Sequence, residues 1–268
     1  PFTAMLLLYT WRRFISHQKQ RRREAIRALP FPDNWRQFLV DDFPLYSQLP
    51  KNLQNKLEGN IHVFLNEKII LGRDDLEITD QMRVLIAAQA CVLILSKPTD
   101  YYPGFETILV YPETYQATSV EQNGYIHSES VSHRAGESWV RGPVVLAWDQ
   151  VLAGARNSRD GNNVVMHEFA HKLDEQDACM DGTPVLASGS QYHAWVPIFS
   201  QEYNRLCEQI ASGHSHLIDD YAATSPAEFF AVLTEIFFEK PQALQKKHPE
   251  LYGELSDFYQ LDPVSWAS

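Results

Sequence analysis

The pentapeptide His167-Glu168-Phe169-Ala170-His171 constrains this chain more than any other feature of it. Two histidines at i and i+4 on an α-helix lie about 40° apart, so two neutral imidazole nitrogens can close on a single ion. The glutamate between them points about 100° from His167, where it reaches a water held at the same point. Val165, Phe169 and Leu173 fall roughly opposite the histidines, so 163–175 reads as an amphipathic helix with one face packed and one face binding. With 10 histidines in 268 residues, a match to HExxH arises by chance about 0.02 times, which makes accident a weak explanation. The spacing predicts a metal-binding helix with His167 and His171 as ligands and Glu168 as general base.

Two imidazoles do not complete a hydrolytic site, which uses three protein ligands and one open position. Continuing along HEFAHKLDEQD, Asp177 stands where one class of such sites carries its third ligand, but Asp174 replaces the glycine of that pattern. Without that glycine the chain lacks the sharp turn that would return Asp177 to the metal. The other source is a later helix over 225–239, where Glu228 and Glu235 lie seven residues apart on one face of an otherwise apolar segment. Carboxylates in such surroundings need a partner. Glu228 also fits a capping box, with Ser225 at the N-cap and Pro226 at the first helical position, and Glu235 also fits a surface charge. Spacing leaves Glu228 and Glu235 level. Asp174, about 20° from His167 around the helix, is a candidate acceptor for an imidazole N–H, with Glu235 next.

The rest of the chain supplies a body for this site. At 30.8 kDa with 44% hydrophobic residues, it can build a substantial core. Helices are expected over 52–66 and 79–95, the second apolar on most sides, and further helices over 195–212 and 225–239. Between them, 101–148 breaks into short β-rich runs, including 107–111 and 143–148, which suggest a small sheet. The run 143–148 shortly before the motif helix could serve as an edge for an extended peptide or simply pack the sheet. Cys91, Cys179 and Cys207 are widely spaced and odd in number, which argues against a disulfide framework and fits a cytoplasmic domain.

Charge is uneven. The formal net charge is -11, yet residues 1–29 carry Arg12, Arg13, Lys19, Arg21, Arg22, Arg23 and Arg27 against Glu24 alone. The acidic remainder is a poor surface for nucleic acid, so none is expected as a partner. The apolar run PFTAMLLLYT followed by Trp11-Arg12-Arg13 has the flanks of a truncated membrane anchor, although ten residues fall short of the roughly 20 that span a bilayer. A surface-packed helix is the competing reading. Pro30 and Pro32 mark a linker, which divides the chain into an N-terminal segment, 1–32, and a domain that carries the metal motif, 33–268.

HEFAHKLD, DDYAATSPAEFFAVLTEIFF, ITDQMRVLIAAQACVLIL and TILVYPETY together resemble the Mlc titration factor A family of bacterial zinc peptidases, whose fold is similar to the catalytic domain of anthrax lethal factor. The likeness covers most of the chain from about 38 to 263. It implies an α+β, zincin-like fold, mostly helical, with a small mixed sheet and the HExxH helix at the active site. It implies one Zn²⁺ per chain and assigns the third ligand to Glu228. It also implies that Tyr221 is a catalytic hydrogen-bond donor, where spacing alone would favour a buried aromatic. Many relatives look as if a membrane segment precedes a basic stretch, which favours tethering to the inner membrane by the N-terminus. The expected activity is gluzincin-like hydrolysis of short peptides, aminopeptidase-like in character. The alternative is a regulatory binding protein that sequesters a partner such as a transcriptional regulator, with incidental peptidase activity.

Overall fold

Side-chain caps begin the helices that matter most. Thr79, Asn163, Ser188 and Ser225 each accept a hydrogen bond from the backbone N–H three residues on, satisfying a donor that the first helical turn leaves open. The computed structural model describes residues 2–97, 100–113, 142–214 and 216–266, with backbone alone at 2–10 and 12. In chain order these form α1 (Phe2–Arg27), α2 (Asp33–Asp42), α3 (Pro44–Gln48), α4 (Lys51–Glu67), β1 (Ile69–Gly72), α5 (Asp80–Val92), β2 (Thr107–Tyr111) and β3 (Val144–Ala147). They continue as α6 (Trp148–Arg156), α7 (Val164–Asp174), α8 (Gly189–Ala211), α9 (Pro226–Glu239), α10 (Pro241–Lys247) and α11 (Pro249–Tyr259).

The strands pair in the order β1-β2-β3, all parallel, so each is joined to the next by a long connection. No antiparallel partner occurs among the described residues, and the part of the expected sheet that falls in 114–141 lies outside them. Alternation along the strands turns Ile70, Ile108, Val110, Val144 and Leu146 into the core. The core itself is mostly helical. Val84 to Val92 of α5 is sealed from solvent, and every residue of α9 from Ala227 to Glu239 is buried. Each large aliphatic side chain so buried contributes about 2 kcal/mol relative to exposure. The architecture is α+β and zincin-like: a helical body with a small parallel sheet.

Several boundaries differ from the sequence expectation. The chain passes from β3 directly into α6, which has no side-chain cap to announce it. Gly154, a residue that by itself suggests a turn, sits inside α6, where its bare Cα lets the backbone of Asn163 approach. Helix α8 starts earlier than expected because Ser188 caps it. Strand β1 follows α4 with no glycine or proline between, so nothing in the sequence punctuates it.

The basic segment is one long helix whose far end docks on α4. Arg23, almost fully buried, donates to both carboxylate oxygens of Glu67 at 2.7 Å and to Asp100. Arg27 donates to the Tyr101 hydroxyl. Among the described residues no helix is long and apolar enough to cross a membrane, so α1 itself lends no support to the expected tether.

Candidate active site

Helix α7 is held by its apolar side. Phe169 meets Tyr102 edge-on at 4.7 Å between ring centroids and packs against Phe64 and Phe105, while Val165 and Leu173 join the same core. That anchoring turns His167 and His171, on the opposite face, toward α9. The two helices are antiparallel neighbours: residues 161–163 at the start of α7 bond to Glu235 and Glu239 near the end of α9.

Three donor atoms converge between them. His167 Nε2 lies 3.0 Å from Glu228 Oε2 and 3.2 Å from His171 Nε2, and His171 Nε2 lies 3.4 Å from the same carboxylate oxygen. On the other edge of the His167 ring, Nδ1 is 2.8 Å from Glu235 Oε1. With the ring proton on Nδ1 and donated to that carboxylate, the Nε2 lone pair faces Glu228. Lone pairs brought this close repel unless they share a proton or a cation. His167, His171 and Glu228 can each offer one ligand atom, all within 4.8 Å of one another. Two imidazoles and a carboxylate are the donor set of a hydrolytic metal site, and they fit a metal ion here.

The structure therefore separates the two glutamates that spacing left level. Glu228 shares the nitrogen face with both histidines, and Glu235 stands behind His167. Ser225 does cap α9 through the Glu228 N–H at 3.2 Å, but the Glu228 carboxylate reaches the imidazoles. Burial raises the Glu235 pKa, with the hydrogen bond from His167 pulling the other way. Glu235 also accepts from the Asn163 N–H.

Glu168 lies on the same helix between the histidines, half-buried. Tyr221 sits in a short 3₁₀ turn, Asp220–Ala223, with its ring centroid 6.2 Å from that of His167. Asp174 is fully buried at the end of α7, and its hydrogen-bond partner is the Gly182 N–H at 2.8 Å rather than an imidazole. Burial pushes its carboxyl up to about 6. Asp177 is exposed and caps Cys179 N–H, away from the convergence.

Two residues escaped the sequence reading. Asn163 caps α7 through Met166 N–H and donates its side-chain amide to Glu239 Oε1 at 3.1 Å. Glu239 Oε2 also accepts from Gly161 and Asn162 N–H, while burial pushes its carboxyl up to about 8. The available clue was a third acid, four residues past Glu235, on the most apolar helix of the chain.

Comparison with known proteins fits this geometry. Residues 17–260 match the family described as glucose-regulated metallo-peptidase M90. The chain is 41% identical over 261 residues to an uncharacterized protein of Synechocystis sp., covering 97% of this chain and 94% of that one. It is 33% identical over 239 residues to Mlc titration factor A of Klebsiella pneumoniae, covering 86% of each. With the same factor of Serratia proteamaculans it shares 34% over 231 residues, 83% of this chain and 85% of the relative. A match over most of the length, with a His-His-Glu group enclosed between α7 and α9, means that this chain belongs to the M90 metallopeptidase family.

Proposed function

We propose that this chain is a zinc-dependent peptidase that hydrolyses short peptides in an aminopeptidase-like manner, with one Zn²⁺ per chain held by His167, His171 and Glu228. The observation that carries the reading is the convergence of two imidazole nitrogens and one carboxylate oxygen on a shared point. When bound there, the ion supplies Lewis acidity that acidifies a water and polarises a carbonyl. With that chemistry supplied, the Glu168 carboxylate would take a proton from the attacking water and return it to the leaving nitrogen. Tyr221, whose ring centroid is 6.2 Å from that of His167, donates to the oxygen that gains charge during attack. Glu235, by accepting at Nδ1, would hold His167 in the tautomer whose Nε2 lone pair can serve as a ligand. The peptidase unit is 33–268, with 1–32 as a basic extension.

Glu168→Gln should retain the metal and lower turnover of a chromogenic aminoacyl substrate about 10³-fold. Full turnover by that variant would remove Glu168 from the mechanism.

A second reading has one specific support. The Klebsiella and Serratia relatives bear the name Mlc titration factor A, so a protein partner is a role to test here as well. If Glu168→Gln restores function to a deletion strain, partner binding outweighs hydrolysis; if it fails, the peptidase reading stands.

A further inference from the structure

We propose that Asp174, Gly182 and Trp195 form a clamp that sets the position of Glu228, which makes Asp174 a positioning residue for the metal centre. The proposal takes His167, His171 and Glu228 as the ligands, as above.

Glu228 comes from the first turn of α9, 61 residues after His167. Its carboxylate can meet both imidazoles only if the start of α9 is held in register with the end of α7. Glu235 and Glu239 hold the opposite end of the helix pair, two and three turns away. At the Glu228 end, the contact is made by a glycine. Gly182 has φ +77°, a left-handed conformation, and its Cα lies flat against the Pro226 and Ala227 backbone. A methyl group at 182 would overlap the Pro226 carbonyl. Position 182 therefore abuts the two residues that immediately precede Glu228.

Gly182 is fixed in turn from both sides. Its N–H donates to Asp174 Oδ2 at 2.8 Å, and its carbonyl accepts from Trp195 Nε1 at 3.2 Å. Asp174 is the last residue of α7, one turn past His171, so one carboxylate ties the helix bearing both histidines to the helix bearing Glu228. Trp195 is braced by stacking on Phe199, with ring centroids 3.8 Å apart.

Stability alone does not account for the acid at 174. Asp174 is fully buried, and its Oδ1 has no hydrogen-bond partner, an arrangement that costs free energy. An apolar residue would fill the site at lower cost but could not hold the Gly182 N–H. Gly182 in turn fits only because it lacks a side chain. Together these features explain why a buried carboxylate stands next to, yet is not bonded to, the histidine face.

The test is zinc affinity by chelator competition on the folded full chain, with circular dichroism and thermal unfolding of the metal-free forms as controls. Asp174→Ala should weaken zinc binding about tenfold or more while the metal-free protein stays folded. Asp174→Asn keeps an oxygen that can accept the Gly182 N–H and should stay within about threefold of the unaltered protein. Trp195→Phe removes one hydrogen bond and keeps the stacking, for about a fivefold loss. His171→Ala, as the reference, should lose stoichiometric zinc. Unchanged affinity in Asp174→Ala, or an Asp174→Asn variant as weak as Asp174→Ala, overturns the clamp. Should Asp174→Ala fail to fold, Trp195→Phe decides, and unchanged affinity there overturns it. If His171→Ala binds zinc like the unaltered protein, the ligand assignment itself has failed and the clamp falls with it.

Discussion

Two helix pairs cross this molecule side by side, and they solve opposite problems. Where α4 meets α5, the facing residues include Leu57, Ile61, Phe64, Val84, Leu85 and Ala88, all fully buried. Where α7 meets α9, the seam is as well enclosed, but it contains His171, Asp174, Glu228, Glu235 and Glu239. The first pair gains stability from dispersion and from removing apolar area from water. The second carries groups that are expensive to bury, and they are answered across the seam: Glu228 by His167 and His171, Glu235 by His167 and Asn163, Glu239 by residues 161–163, and one oxygen of Asp174 by Gly182. Enclosure that stabilises one seam creates chemistry in the other.

The largest separation between the seams should come from truncating the apolar one. Leu85→Ala removes a fully buried side chain and should cost about 3 kcal/mol of unfolding free energy, measured by urea titration, with zinc affinity unchanged. A parallel loss of zinc affinity would mean that the two seams are mechanically coupled.

A smaller effect of the opposite kind is expected from Glu235→Gln. The amide retains the shape but weakens the hold on His167 Nδ1, and zinc affinity should fall about tenfold, or about 1.4 kcal/mol. Chelator competition reads this directly, and an unaltered affinity would leave Glu235 as filler.

The smallest effect is a pH dependence. Burial raises the Glu239 pKa from 4.5 to about 8, so between those values the folded chain holds a proton that the unfolded chain has lost. Stability from this group is present in full below about 4.5 and declines as pH rises through about 8. Urea unfolding at pH 5 and pH 8 should show a loss in the unaltered protein larger than that in Glu239→Gln by at least about 1 kcal/mol, the worth of a single pKa unit. Equal slopes would show that the three donors around Glu239 outweigh its burial.

The same contrast explains what was legible in the sequence. Helices α7 and α9 were readable almost to the residue, α7 from the apolar register opposite its histidines, and α9 from Ser225 at its cap, Pro226 at its first position and a long apolar run. Helix α6 was not, since Ala147 supplies no cap and Gly154 mimics a turn; nor was β1, four residues long. At the site, local spacing singled out the two histidines and Glu168 as candidates, and the fold brings the two histidines against Glu228. Spacing could not rank Glu228 against Glu235, because their roles depend on which edge of the His167 ring each one meets, and that is fixed by how α9 docks. Asp174 illustrates the limit further. Its angle on the helix wheel pointed to an imidazole, but its bond is made to a loop glycine eight residues on. Glu239 was invisible for the same reason, since its partners precede α7 by sequence and reach it only in the fold.

The central claim is that His167, His171 and Glu228 hold a zinc ion. X-ray absorption at the zinc edge of the purified protein tests it most directly. The account predicts about one zinc per chain, bound by nitrogen and oxygen at about 2.0–2.1 Å with imidazole scattering from two histidines, and loss of that signal in Glu228→Ala. A sulfur shell at about 2.3 Å, or an unchanged spectrum in Glu228→Ala, would contradict it.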